Sequence, residues 1–387
     1  MLTSVYRNSA PFFFRPGLAL GLLGILVLGL VLAGNKSLEA REERSITDHT
    51  GRELNVPARV DRAICSGPGC LRLLTYIQGH ERIVGVDSME KRDFPVNPRP
   101  YALANPQFRE HPLFGEFRGH DSPELVAGLD PQPQVIFKTY PDSGTDPESL
   151  QDKTGIPVIN LEYGNLTHAR DELDASLRLM GRVMDREDRA EEVIKYFDAL
   201  EQDLRSRTRD IPEKDRPTCY IGGVSHRGPQ GFQSTEPSYA PFDFLHARNV
   251  AGKLNTEDKR LDHATVSKEK IMIWDPEVIF IDTSTMQLDR GANARDQLQS
   301  DPAYRHLSAV AEGRVYGVFP YNYYTQNFET IFANAYYIGS ILYPERFQDI
   351  DPMRKAEEIS VFLNDDKAFE EMNRQFDALG FSRINLK

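Results

Sequence analysis

Six side chains in this sequence are suited to gripping an oxygen-rich or anionic ligand: Arg118, Tyr140, His226, Arg227, Tyr321 and Tyr323. A guanidinium offers a planar fork of donors that matches carboxylate or catecholate oxygens, and a tyrosine adds a flat apolar ring with one hydroxyl. Two glutamates stand out for a different reason. Glu124 and Glu269 each sit at the head of a motif that occurs twice in the chain. Ser122-Pro123-Glu124-Leu125 runs to Asp130-Pro131 and then Val135-Ile136-Phe137; Ser267-Lys268-Glu269-Lys270 runs to Asp275-Pro276 and then Val278-Ile279-Phe280. Serine caps a helix, glutamate suits its positive start and proline ends it, so each copy reads as a short helix followed by a buried strand.

Other chemistries find little support. The nine histidines show no His-x-x-x-His or Cys/His spacing, so no bare-metal site is expected. There is no Gly-x-Ser-x-Gly, P-loop or zincin motif, and the carboxylates single out no acid–base pair, so neither catalysis nor a cofactor is expected. Of the three cysteines, Cys65 and Cys70 could pair across a short loop in an oxidising compartment, leaving Cys219 over. Equally, all three could be small buried apolar residues.

The candidate residues need loops to carry them, and the pattern of elements supplies those loops. From Ser45 to Pro57 the sequence reads as a β-hairpin around Asp48-His49-Thr50-Gly51. Strand-like runs then alternate with helical ones: Ala63–Cys65, a helix near Leu71–Gln78, Ile83–Val86, a helix Pro123–Leu129, Val135–Phe137 and Ile156–Leu161. Leu173, Leu177, Met180 and Met184 begin a helical stripe that Val193, Ile194, Phe197 and Leu204 continue. Asp185-Arg186-Glu187-Asp188 interrupts it and offers an N-cap, which predicts a second, long helix over 186–208. Beyond Pro212 and Pro217 the alternation resumes with Cys219–Val224, Val266–Trp274, Val278–Asp282, Arg314–Phe319 and a helix Phe328–Leu342.

The fold class is therefore α/β: two units, 45–185 and 209–387 with C-terminal helices, joined by one long helix. In such sheets ligands gather beyond the carboxyl ends of the strands, which is what selects the loops holding the six residues above.

Arg7 and Arg15 precede an uncharged run, Leu18–Gly34, and short side chains follow up to Ala40. Residues 1–40 thus read as an export signal or a retained N-terminal anchor, and the rest of the chain is expected in the periplasm or associated with the outer side of a membrane. Leu32-Ala33-Gly34 is followed by Asn35 and not by cysteine, so no thiol is present there for lipidation. A formal charge of −12 argues against nucleic acid as a partner, because such binding needs a basic patch to release counterions.

The ordered set Gly69-Cys70-Leu71-Arg72-Leu73-Leu74, Ile83-Val84-Gly85-Val86, Gly155-Ile156-Pro157-Val158 and Ala309-Val310-Ala311-Glu312-Gly313-Arg314-Val315-Tyr316 resembles the ABC-importer binding proteins for iron siderophores, haem and cobalamin. Tyr321-Asn322-Tyr323-Tyr324 with Asn327 and Glu329 is similar to the subgroup that carries iron complexes. The resemblance implies two Rossmann-like lobes bridged by one long helix with a ligand cleft between them, in a monomeric solute-binding protein that hands a metal chelate to a permease dimer. It also implies that Glu124 and Glu269, one per lobe, dock onto permease arginines. A membrane-tethered sensor, or a chelate-processing protein on the same scaffold, is the alternative.

Overall fold

Parallel strands, many buried on both faces, dominate the architecture, and they fall into two sets that lie on either side of one long helix in the sequence. The computed structural model describes residues 42–386. By internal contacts the chain divides after Glu43, and Arg44–Lys387 makes one unit. The export signal or anchor expected over 1–40 lies outside the described residues. Among the described residues no helix is long and apolar enough to cross a membrane.

The first strands, β1 (Glu43–Thr47) and β2 (Glu53–Pro57), pair with each other. Asp48 closes their turn by accepting from the backbone N–H of Thr50 and of Arg52, both at 3.0 Å. Six further strands build the first half as two three-stranded sheets, in the orders 3-7-8 and 4-5-6: β3 (Ala63–Ser66), β4 (Val86–Asp87), β5 (Leu113–Glu116), β6 (His120–Asp121), β7 (Val135–Thr139) and β8 (Val158–Leu161). Strand β3 pairs in parallel with β7, and β7 with β8. On the other side of β3 a single parallel bridge, Ala63 to Ile83, leads to β4, followed by parallel β5 and antiparallel β6.

The main sheet of the second half uses β9 (Thr218–Gly222), β11 (Arg248–Asn249), β13 (Val278–Asp282), β14 (Val315–Val318) and β15 (Ser382–Arg383), in the order 11-9-13-14-15. Only β15 runs antiparallel there. Between them in sequence, β10 (Ser234–Thr235) and β12 (Ala264–Thr265) form a small antiparallel ladder. Residues 135–139 and 278–282 are buried throughout, as expected of parallel strands covered on both faces.

In sequence, one helix of 22 residues, Glu187–Thr208, stands between the two sets of strands. At 1.5 Å per residue it is about 33 Å long. Asp185 does not cap its start: with φ 53° it ends the preceding helix, Arg170–Met184, in the left-handed conformation, and the Arg186 N–H reaches back to the Gly181 carbonyl at 2.7 Å. The long helix buries Ala190, Val193, Ile194, Phe197, Leu200 and Leu204, a stripe at helical spacing.

Phe197 is the point where the halves meet on this helix. Its ring lies 6.1 Å from Tyr76 of helix Cys70–Tyr76, and 6.0 and 5.6 Å from Phe328 and Phe332 of helix Phe328–Leu342. The last helices, Pro352–Asn364 and Phe369–Gln375, also pack on helix Pro100–Ala104 of the first half. Sequence alone places them with the second lobe; their apolar faces close the molecule from behind by covering both.

Truncating Phe197 to alanine should cost about 3–5 kcal/mol, because it empties a site shared by three helices. Urea denaturation followed by circular dichroism would measure the loss. A change below about 1 kcal/mol, the level of a surface substitution, would mean that this junction does not hold the halves together.

Candidate functional site between the lobes

Strand order reverses between β3 and β7 in one half and between β9 and β13 in the other, and ligands of open α/β sheets bind beyond such points. After β3 the chain turns through Gly67 (φ 87°) and Gly69 (φ 75°). A Cβ on Gly69 would fall 2.2 Å from the Tyr163 ring and 2.6 Å from the Thr325 methyl, so only glycine allows these groups to close in.

Thr325 belongs to a strap, residues 321–326, that runs from the end of the second half's main sheet onto the first half. Arg72 anchors it. The Arg72 guanidinium is fully buried and donates to the Tyr163 hydroxyl at 2.5 Å and to the carbonyls of Gln326 at 2.7 Å and Tyr323 at 3.3 Å. Tyr163 in turn donates to the Gln326 carbonyl at 2.6 Å. The Tyr324 hydroxyl donates to the Asp87 carboxylate and accepts from the Arg118 N–H at 2.9 Å. Tyr140 and Thr325 share a hydroxyl–hydroxyl bond of 2.7 Å. Tyr324 and Thr325 both have positive φ, 51° and 64°, a costly conformation for a β-branched residue that these bonds hold in place. The void left among Cys65, Gly67, Gly69, Asp87 and Tyr324 is about 10 Å³, room for one water at most.

Buried ionisable groups crowd this region. Lys138 and Asp121 form a buried pair at 2.7 Å, and the same ammonium donates to the Gly119 carbonyl at 2.9 Å. Asp87 is pushed up to about 7 by burial and by neighbouring Glu90. In the second half Glu236, which accepts the Tyr321 hydroxyl, is pushed up to about 8 by burial. Burial likewise lifts Asp282 to about 6. These carboxyls are costly to ionise where they stand.

The sequence-selected residues divide accordingly. Arg118 is exposed with φ 64°, its backbone pinned and its side chain directed outside the packed interior. Tyr140 is 41% exposed. Tyr323 is partly buried, edge-on to Phe94 at 5.6 Å. His226 and Arg227 are exposed on the loop after β9, and His226 stacks on His263 at 4.0 Å.

Tyr321 is a correction. It is 4% exposed with its hydroxyl committed to Glu236, so it supports the strap and does not line an open surface. Cys65 and Cys70 are a second correction to the pairing weighed above: they are separate buried thiols, and the Cys70 thiol donates to the Phe137 carbonyl at 3.5 Å. Burial raises the Cys65 thiol well above its ordinary value, as does its hydrogen bond with Cys70. No cluster of three or more metal-ligating side chains occurs among the described residues.

Sequence reasoning overlooked Arg72, Asp87, Lys138, Glu236 and Tyr324. A signal existed for two of them: Arg72 and Lys138 are lone charges in or next to the apolar runs 70–74 and 135–137, and a charge there must be paired.

Glu124 and Glu269 open the helices Pro123–Ala127 and Lys268–Trp274, and both are exposed. Ser122 and Ser267 cap those helices, accepting from Leu125 N–H at 3.2 Å and Lys270 N–H at 3.3 Å. Hydrogen bonds from their own N–H groups and from the cap serines hold both carboxyls below the usual range. Two of the exposed large apolar side chains lie on these same short helices, Leu125 beside Glu124 and Ile273 one turn after Glu269.

Two parallel-stranded halves around one long helix, with aromatic and charged side chains meeting across the join, define a two-lobed ligand-binding protein. The chain belongs to the periplasmic binding protein family, whose model matches residues 72–320. It is similar to the molybdate-binding protein MolA of Haemophilus influenzae, 23% identical over 339 residues that cover 83% of this chain and 90% of that protein. The structure of MolA bound to molybdate superposes with a TM-score of 0.62 at 20% identity, covering 84% of this chain and 98% of that one. A periplasmic solute binding protein from Veillonella parvula gives a TM-score of 0.64 at 18% identity, covering 87% of this chain and 97% of that one. The periplasmic heme binding protein HutB of Vibrio cholerae gives 0.52 at 15%, covering 73% and 99%.

Glu236 sets a pH dependence whose sign follows from linkage. Its folded value, about 8, lies above the ordinary glutamate value of about 4.3, so the folded state holds a proton that the unfolded chain has lost. Stability should therefore fall as pH rises from about 4.3 to about 8. The Tm of the wild type should drop across that window more than that of Glu236→Gln. Parallel curves for the two proteins would contradict the assignment.

Proposed function

We propose that this chain is the extracytoplasmic solute-binding component of an ABC importer, which captures an oxygen-rich metal chelate, of the iron–siderophore kind, and delivers it to a membrane permease without altering it. Family membership supports the binding role. The observation that carries delivery is the pair of serine-capped helix heads, each presenting one exposed carboxylate beside an exposed apolar side chain, with one copy in each half. A two-fold permease offers the same patch of arginines twice, and a monomer with a repeated acidic head can engage both. Electrostatic docking of this kind governs encounter and register more than ligand affinity.

A second reading has a specific support. The relative named as molybdate-binding matches over most of both chains, which favours a bare oxyanion in place of a chelate. Both readings place anionic oxygens at the same crevice.

Reversing charge with Glu124→Lys and Glu269→Lys should abolish uptake in cells or in vesicles reconstituted with the cognate permease, while ligand affinity stays within twofold. Both carboxylates are exposed, so folding should be unaffected. Uptake at the wild-type rate in the double variant would remove the docking assignment.

A further inference from the structure

A second recess lies on the flank of the second half. A cavity of about 700 Å³, within the range of small-molecule sites, is lined in part by buried Phe242 and Val250 and reaches Thr167 of the first half. Arg216 precedes β9 and Thr218 opens it, so this wall stands at the amino ends of strands whose carboxyl ends face the crevice. None of the six residues selected from sequence lines it.

The charges around this cavity do not balance. Arg216, Arg248, Lys253 and Arg260 line it, and none of them forms an ion pair among the described residues. Three carboxylates line it too. Asp243 is taken by Arg205 at 2.7 Å, which leaves Glu213 and Glu257 against the four cations. Glu277, whose charge Arg248 feels, lies outside the lining and accepts from the Thr218 N–H at 2.7 Å and the Thr218 hydroxyl at 2.9 Å. Asp215 and Asp258, adjoining in sequence, lie outside it as well. Two positive charges are left over in a chain whose formal charge is −12, and a recess of one sign gathers ions of the other.

These cations are held in place. Arg216 donates through Nε to the Ile211 carbonyl at 2.9 Å and through Nη1 to the His246 carbonyl at 3.2 Å; its Nη2 has no partner among the described residues. Strand β11 pairs Arg248 with Thr218, and the Arg248 guanidinium reaches the Arg216 carbonyl at 3.5 Å, so the two arginines stand side by side. The loop that carries Lys253 and Arg260 is pinned at Asn255, whose amide donates to the Pro237 carbonyl at 3.3 Å and accepts from the Leu261 N–H at 2.9 Å. His246 also lines the cavity, its Nδ1 3.0 Å from the Thr208 hydroxyl. Burial, with the charges of Arg216 and Arg205, keeps its ring below the usual histidine value against the pull of Asp243.

We propose that this recess is a second ligand site, for a small dianion of the phosphate-monoester class, gripped by Arg216 and Arg248 with exposed Lys253 and Arg260 closing over it. A phosphate monoester carries about −1.5 to −2 charges at pH 7 and three acceptor oxygens, which matches both the leftover charge and the forked donors. The site is independent of the crevice and of what the crevice carries.

The test is NMR of the full-length chain carrying isotope-labelled histidine, titrated with glycerol 3-phosphate and, separately, with uncharged glycerol. The His246 signal, assigned with His246→Gln, should move saturably with the phosphate ester and stay still with glycerol. A dianion beside the ring should also raise the pH at which His246 titrates, a change that a purely structural role for the arginines would not produce. Arg216→Gln and Arg248→Gln should each raise the Kd read at His246 at least fivefold. Arg216 supports two carbonyls and its loss could disturb folding, so exposed Arg248, with unchanged Tm, is the deciding variant. A His246 signal that glycerol 3-phosphate leaves unmoved at millimolar concentration, or that glycerol moves equally, would overturn the proposal. Wild-type Kd in Arg248→Gln would overturn it as well.

Discussion

One buried guanidinium organises the middle of this molecule. Arg72 sits wholly inside, on a helix of the first half, and spends its donors on Tyr163 and on carbonyls of the strap that arrives from the second half. Its two terminal nitrogens are paired while its Nε has no partner, and each hydrogen bond to such a charge is typically worth about 1.5–3 kcal/mol. A carboxyl that balances it is Glu329, at the start of helix Phe328–Leu342, which takes the Tyr76 hydroxyl. Burial raises Glu329 and the proximity of Arg72 pulls it back. The strap, and Tyr163 that closes on the glycine turn after β3, are bonded to this one cation.

From that constraint follows the form of the crevice. Non-glycine residues at positive φ, Tyr324 and Thr325, are held by bonds to Asp87, Arg118 and Tyr140, so the strap fills the space at the sheet's switch point. The side chains left at the rim, Arg118, Tyr140 and Tyr323, are at least partly exposed, and the proposed ligand reading rests on them. The proposed docking uses a different surface, the heads of two short helices whose conformation is fixed by local caps. On that proposal, binding and delivery use separate parts of the chain.

Much of this was legible from sequence because it rests on local rules. Parallel strands read as short apolar runs, and the long helix as a stripe at 3.6 spacing, so Val278–Asp282 and Phe328–Leu342 were placed residue for residue. The serine caps were equally local. Strands β5 and β6 went unseen because Leu113–Glu116 and His120–Asp121 are short, and only Leu113-Phe114 in them is apolar. The rim residues came from a rule about strand ends, which selects loops but cannot say which side chains turn inward. Tyr321 therefore looked like its neighbours, although Glu236, distant in sequence, captures it. Arg72 and Lys138 needed their partners in view: a lone charge beside an apolar run announces that a partner exists without naming it.

The claim that Arg72 ties the strap to the first half can be measured amide by amide. Arg72→Lys keeps the charge and removes the planar fork. Hydrogen exchange should then speed up at least tenfold at Tyr323 and Asn327, whose N–H groups bond within the strap to Thr325 and Tyr321, while amides of β13 keep their wild-type protection. Exchange at Tyr323 and Asn327 that matches the wild type would contradict the account.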